Sequence, residues 1–256
     1  MVLAIDIGNT HILLGCFEDR KILFKELLST DRSYTDLEYA SLIKSALEFN
    51  GASFDQIEGA IVSSVVPSVT GTIKIAIERF AQVTPVVVGP GVKTGLKIKI
   101  DNPAQLGSDL VVSAVAGIKE YGVPQINIYM GTATAFSLID SEKTFLGTSI
   151  GAGMGIAAEA LSSKTSQLPN VAFETPKKVI GTNTVDSMKS GLICQNAALI
   201  DGMIDRIEEE YGDKCVIVAT GRYASIVTPL CRHKVICDME LILKGLIEVY
   251  FKNCSN

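Results

Sequence analysis

Leu3-Ala4-Ile5-Asp6-Ile7-Gly8-Asn9-Thr10 is an apolar run that ends in Asp, Gly and Thr. A second run, Ile126-Asn127-Ile128-Tyr129-Met130-Gly131-Thr132-Ala133-Thr134, closes in the same kind of Gly/Thr turn. A short apolar run broken by Gly reads as a strand entering a tight turn. The segments downstream of the two copies are also alike. Residues 2–7 read as a strand, His11 to Phe17 as a second and Ile22 to Leu28 as a third, with Glu18-Asp19-Arg20-Lys21 as a hairpin turn. Leu37, Ala40, Ile43, Ala46 and Leu47 recur at helical spacing, so a helix is predicted from Asp36 to Phe49, with Asn50-Gly51 as its stop. A strand (Ile57 to Val66), a helix (Val69 to Phe80) and a strand (Pro85 to Val88) complete the first cycle. A helix from about Gln105 to Tyr121 leads into the second. There the strands are Ile126 to Met130, Ala135 to Asp140 and Thr144 to Ser149. Helices at Gly151 to Ser162 and Thr184 to Tyr211, a strand at Cys215 to Ala219 and helices at Ala224 to Leu230 and Glu240 to Phe251 finish the chain.

Two successive cycles of this kind describe a duplicated α/β fold of mixed sheets flanked by helices. The lobes are drawn at 1–122 and 123–256, and a ligand is expected in the cleft between them. At 256 residues and 47% hydrophobic, the chain can bury substantial cores. A formal charge of −5 and a pI near 5.2 argue against a nucleic-acid binder, which needs a basic face. No apolar run reaches the roughly 18 residues of a membrane span. The N-terminus lacks the basic start of a signal peptide. The six cysteines (Cys16, Cys194, Cys215, Cys231, Cys237 and Cys254) form no CxxC pair, and are expected as reduced, mostly buried thiols of a cytoplasmic protein.

Asp6-Ile7-Gly8-Asn9-Thr10 suits a phosphate loop. Gly8 lets the backbone turn sharply, backbone amides and the Thr10 hydroxyl can donate to phosphate oxygens, and Asp6 at a strand end can hold Mg²⁺. An ordinary Gly-Asn turn is the plainer reading. Gly131-Thr132-Ala133-Thr134 is a second phosphate turn or a second hairpin turn. Gly107-Ser108-Asp109 opens a helix, where Asp109 is either its cap or a general base for a substrate hydroxyl. Thr220-Gly221 reads first as a helix-start turn and otherwise as a contact to a nucleotide, Gly151-Ala152-Gly153-Met154-Gly155 equally as tight helix packing or as a helix start close to an anion, and Gly181-Thr182-Asn183-Thr184 as hydroxyls at a helix start that Thr184 caps. His11 and His233 have no nucleophile motif beside them. There is no Walker lysine motif and no GxGxxG.

The ordered set of motifs resembles type III pantothenate kinases over essentially the whole chain. The set also includes Ser63-Ser64-Val65-Val66-Pro67, Asp101-Asn102-Pro103, Leu168-Pro169 and Glu240-Leu241-Ile242-Leu243-Lys244-Gly245-Leu246. The resemblance implies a duplicated actin-like, sugar-kinase-like (ribonuclease H-like) fold. It implies transfer of the ATP γ-phosphate to pantothenate, the first step towards coenzyme A, by a cytoplasmic homodimer that needs Mg²⁺ and a monovalent cation, K⁺ or NH₄⁺. By this resemblance Asp6 would help hold Mg²⁺ and phosphates, with Gly8, Asn9 and Thr10 as the first phosphate loop. Gly131, Thr132 and Thr134 would form the second, with Gly221 at the nucleotide. Asp109 would take the pantothenate hydroxyl proton, and Gly107, Ser108 and Thr184 would line the acceptor pocket.

Three positions depart from the family pattern inside the implied site. Tyr129 stands where the family has an acidic cation ligand, and a phenol is neutral at pH 7. Leu110 replaces an Arg suited to the pantothenate carboxylate, and Ile100 replaces a pocket Tyr. They motivate an alternative: a catalytically impaired paralogue acting as a ligand-binding or regulatory protein.

Overall fold

The computed structural model describes residues 1–254. In chain order the elements are β1 (Val2–Ile7), β2 (His11–Glu18), β3 (Lys21–Ser29), α1 (Asp36–Phe49), β4 (Gly59–Ser64), α2 (Pro67–Phe80), β5 (Val86–Val87), β6 (Lys97–Ile98) and α3 (Ser108–Tyr121). Then come β7 (Gln125–Met130), β8 (Ala133–Ile139), β9 (Thr144–Ala152), α4 (Met154–Lys164), α5 (Thr184–Tyr211), β10 (Val216–Thr220), α6 (Ala224–Val227), β11 (Ile236–Cys237) and α7 (Leu241–Cys254). Contacts divide the chain into two units. One holds Met1–Leu96, Asp101–Ala116 and the chain from Leu241 onward; the other holds Lys97–Ile100 and Gly117–Glu240.

In the first unit the sheet order is β3-β2-β1-β4-β5, with β1, β2 and β3 antiparallel and β4 and β5 parallel to β1. The β2–β3 hairpin turns through Asp19 and Arg20, both at positive φ, the twist that short hairpins favour. Alternation along β1 splits its side chains between two faces. Leu3, Ile5 and Ile7 join a core with Tyr39, Ile43 and Leu47 of α1 and Ile73 and Ile77 of α2. Ala4 and Asp6 point the other way. Ala4 pairs with Gly15, whose missing side chain leaves room for Leu243 of α7, so this second face is the one α7 covers. Helix α1 starts with a capping box between Thr35 and Glu38.

Gly245 sets how closely α7 can lie to α3. A β-carbon there would stand 1.9 Å from the Val112 carbonyl oxygen. Backbone cannot yield as a flexible side chain does, so Gly245→Ala must push the two helices apart. We expect a loss of about 3 kcal/mol, seen as a fall in Tm of roughly 5–10 °C by differential scanning calorimetry. An unchanged Tm would show that the contact is slack.

The second unit has a sheet of order β11-β10-β7-β8-β9-β6. Strands β9-β8-β7-β10-β11 repeat the order and directions of β3-β2-β1-β4-β5, with β6 added beside β9. The duplication inferred from two Gly/Thr turns is therefore a duplication of whole sheets. Ile126, Ile128 and Met130 of β7 pack with Ile193, Ala197, Ile200 and Ile204 of α5. The alternate residues Gln125 and Asn127 are buried and polar, and lie against Gly117.

Several boundaries differ from the sequence reading. The helix predicted from Gln105 starts at Ser108. Asn102 caps a separate short turn at Pro103–Gln105, and Leu106 is extended. The helix predicted from Gly151 starts at Met154, because β9 continues to Ala152, which pairs with Ala133. Asn183, not Thr184, caps α5: its side chain accepts from the Asp186 N–H at 2.9 Å. Helix α7, the last element, groups with the first unit and packs on β1 and β4. All six cysteines are free thiols. Only Cys16 is buried; Cys194, Cys215 and Cys231 are half-buried, and Cys237, on the edge strand β11, and Cys254, at a helix end, are exposed. No helix among the described residues is long and apolar enough to cross a membrane.

Candidate active site

Asp6 is the next-to-last residue of β1, on the face covered by α7, and is only 4% exposed. The parallel register of β1 with β4 places Ser63 directly beside it. Ser63 donates its hydroxyl proton to Asp6 Oδ1 at 2.5 Å. The next layer is the start of α3. Ser108 Oγ lies 3.2 Å from Ser63 Oγ, donates to the Ser64 carbonyl at 2.9 Å and accepts from the Ser64 N–H at 2.8 Å.

Asp109 follows Ser108. Its Oδ1 accepts the Leu110 N–H at 2.9 Å and lies where a β-carbon on Gly107 would be, so glycine at 107 makes this pose possible. Asp109 thus accepts from the neighbouring N–H inside the first turn of α3, which Ser108 begins. It is also electrostatically tied to Asp6. Burial, then the charge of Asp109, pushes Asp6 up from its ordinary 3.8 to about 7, against the lowering effect of Ser63. Burial likewise pushes Asp109 up, while the N–H donors of Leu110 and of its own backbone pull it back. A carboxylate near another ionises reluctantly.

Neither Asp6 nor Asp109 has an ion-pair partner among the described residues, and no group of three or more metal-ligating side chains occurs among them. A buried and a half-buried carboxylate without a protein cation suit Mg²⁺, which takes one or two carboxylates and completes its shell with water and phosphate oxygens. Such a cation would supply charge neutralisation for phosphoryl transfer.

The first turn, Gly8-Asn9-Thr10, joins β1 to β2. The Gly8 N–H donates to the His11 carbonyl at 3.0 Å and the Gly8 carbonyl accepts from Thr30 Oγ1 at 2.7 Å. Asn9 and Thr10 are exposed, with Asn9 Oδ1 accepting from Arg32. The turn is thus tied at its base and open at its tip.

In the second unit the matching turn joins β7 to β8. The Gly131 N–H donates to the Ala133 carbonyl, and the Gly153 N–H to the Thr132 carbonyl. Two glycines press on this turn. A β-carbon at Gly153 would stand 2.4 Å from the carbonyl oxygens of Gly131 and Thr132. Gly221 has φ 95°, and a β-carbon there would meet the Met130 backbone at 2.7 Å. Thr132 is exposed. Thr134 is buried, its hydroxyl without a hydrogen-bond partner among the described residues. Tyr129 is half-buried, and its ring edge lies 2.8 Å from where a Gly131 β-carbon would be, so the phenol lies across the turn.

The remaining candidates fall in different places. Thr184 is exposed in the first turn of α5, Ile100 is half-buried on the segment after β6, and Leu110 is buried within α3. In the first unit the structure brings together Asp6, Gly107, Ser108 and Asp109. It adds Ser63, which in sequence stands out only as part of a longer motif. The available signal was its place at the end of a strand parallel to β1.

The family described as type III pantothenate kinase matches residues 2–206. A type III pantothenate kinase of Bacillus cytotoxicus is 40% identical over 253 residues, covering 99% of this chain and 97% of the relative. Another, of Halalkalibacterium halodurans, is 39% identical over 253 residues, covering 99% of this chain and all of the relative. Among solved structures, a Sinorhizobium meliloti protein named as a 2-dehydro-3-deoxygalactonokinase matches with TM-score 0.60 at 10% identity, covering 100% of this chain and 98% of that one. The activator of 2-hydroxyisocaproyl-CoA dehydratase from Clostridium difficile, with bound ADPNP, matches with TM-score 0.54 at 12% identity, covering 98% and 93%. At such identities the structural likeness establishes the fold alone, the actin-like fold of sugar kinases and related ATPases. The near-complete sequence matches go further: the chain belongs to the type III pantothenate kinase family.

Proposed function

We propose that the group of Asp6, Ser63, Ser108 and Asp109 is the chemical centre of this kinase. Family membership gives the reaction: ATP-dependent phosphorylation of pantothenate to 4′-phosphopantothenate, in coenzyme A biosynthesis. The observation that carries the residue assignment is a pair of carboxylates, Asp6 buried and Asp109 half-buried, both pushed upward chiefly by burial, Asp6 also by the charge of Asp109, and lacking a protein cation. Asp109 takes the proton of the pantothenate hydroxyl. The oxygen bonds to the γ-phosphorus, the bond to the bridging oxygen breaks, and ADP leaves. Asp6 holds Mg²⁺. Gly8, Asn9 and Thr10 hold phosphate oxygens, as do Gly131, Thr132 and Thr134, with Gly221 beside the nucleotide. Gly107, Thr184, Ile100 and Leu110 face pantothenate, while the Ser108 hydroxyl is taken up by the Ser64 backbone. At Leu110 and Ile100 that contact is apolar.

A monovalent cation, K⁺ or NH₄⁺, and a cytoplasmic location belong to the same reading. So does a homodimer, supported by the exposed apolar side chains of Ile150, Val179 and Ile180. No observation favours a catalytically impaired paralogue. The test is ADP release by purified protein with Mg-ATP and K⁺, with and without pantothenate. Pantothenate-dependent release is expected. Release that ignores pantothenate would mean another acceptor, and none from folded protein would mean a site that has lost its chemistry.

A further inference from the structure

We propose that Ser63 and Ser108 form a hydroxyl clamp that positions the two acidic groups, Ser63 through Asp6 and Ser108 through Asp109. The inference rests on the site assignment above and extends it to two residues that need touch neither substrate nor metal.

Counting protons fixes the direction of each bond. Ser108 has one proton, and beside it lies the Ser64 carbonyl, a pure acceptor at 2.9 Å. Its oxygen already accepts the Ser64 N–H at 2.8 Å. Ser63 likewise has one proton, and Asp6 Oδ1 at 2.5 Å is the stronger acceptor than Ser108 Oγ at 3.2 Å. One consistent pattern results: Ser63 gives to Asp6, and Ser108 gives to Ser64.

Ser108 thereby grips both backbone groups of the last residue of β4 from the first residue of α3. Ser64 is itself held, its Oγ accepting from the Val66 N–H at 3.0 Å and from Thr70 Oγ1 at 2.6 Å. The end of β4 and the start of α3 are therefore one rigid piece, with Asp109 on its next residue. Ser63 is wholly buried and Ser108 nearly so, which keeps water from substituting for either hydroxyl. A carboxylate held by one fixed donor presents its other oxygen in a fixed direction, the preorganisation a metal or proton site requires.

The test reads Mn²⁺, as a stand-in for Mg²⁺, binding to the protein–ADP complex by electron paramagnetic resonance, alongside steady-state rates. Ser63→Ala should weaken Mn²⁺ about tenfold, and in an Asp6→Asn background it should add nothing, because its effect passes through Asp6. Ser108→Ala should lower kcat about tenfold with KM for ATP within about twofold, and add nothing in an Asp109→Asn background. The second cycle decides the matter if Ser63→Ala fails to fold. Unchanged Mn²⁺ affinity and kcat in both serine variants would overturn the clamp, as would effects that persist undiminished without the acids. If Asp6→Asn itself leaves Mn²⁺ affinity unchanged, the site assignment has failed and the clamp with it.

Discussion

Asp6→Asn will give a protein that is more stable above neutral pH and nearly inactive. Asp6 binds its proton more tightly in the folded protein than in the unfolded chain, pushed from 3.8 to about 7 chiefly by burial. The stability that this group contributes is therefore fully present below about pH 4 and is lost as the pH rises through 7. At pH 8 the fold carries a buried, ionised carboxyl, at a cost of roughly 2–4 kcal/mol. Asparagine removes that charge, and its carbonyl can still accept from Ser63. We expect Tm at pH 8 to rise by roughly 4–10 °C, with the gain vanishing near pH 4. With Asp6 as the proposed Mg²⁺ holder, its loss should cut kcat by about 10²–10³. Thermal unfolding across pH, paired with ADP release, checks both. A lower Tm at pH 8 would mean that Asp6 is stabilised by something other than the groups beside it.

Asp109→Asn should lower kcat by about 10³, within the 10²–10⁴ that general bases supply, and leave KM for ATP near its original value. The fold should survive, because an amide oxygen can take over the Leu110 N–H that Asp109 now accepts. Burial holds Asp109 above the ordinary carboxylate range. A base must be deprotonated to act, so Asp109 should contribute to the acid limb of kcat/KM in the parent enzyme above the ordinary carboxylate range, and that contribution should vanish in the variant. An Asp109→Asn enzyme within fivefold of the parent would restrict Asp109 to its bond in the first turn of α3.

The strands and long helices were legible because their periods are unmixed. Residues 2–7, 36–49 and 184–211 lie within a residue or two of where apolar spacing puts them. Two-residue strands such as β6 and β11 carry no periodicity and exist only through their neighbours. Asp6, Gly107 and Asp109 were legible because an acid or glycine at an element boundary stands out against apolar sequence. Ser63 was not. A serine in Gly59-Ala60-Ile61-Val62-Ser63-Ser64 looks like the end of a strand, and only the register with β1 sets Ser63 against Asp6. Asn183 and Thr184 illustrate a finer limit. Both are good capping residues, and the backbone at 183 is the one with the extended geometry a cap needs.

The position of α7 has a consequence for how this protein is made. Sheet β3-β2-β1-β4-β5 is translated early, yet the helix lying over Ala4 and Gly15 comes from residues 241–254. While the ribosome is still reading the intervening unit, that side of the early sheet lacks the helix that covers Ala4 and Gly15. The second unit draws on no residue beyond Glu240 and can finish first, though its sequence is mostly later. Birth order and completion order are therefore reversed. The nascent chain spends most of its synthesis without that helix, the period in which a holding chaperone would find it.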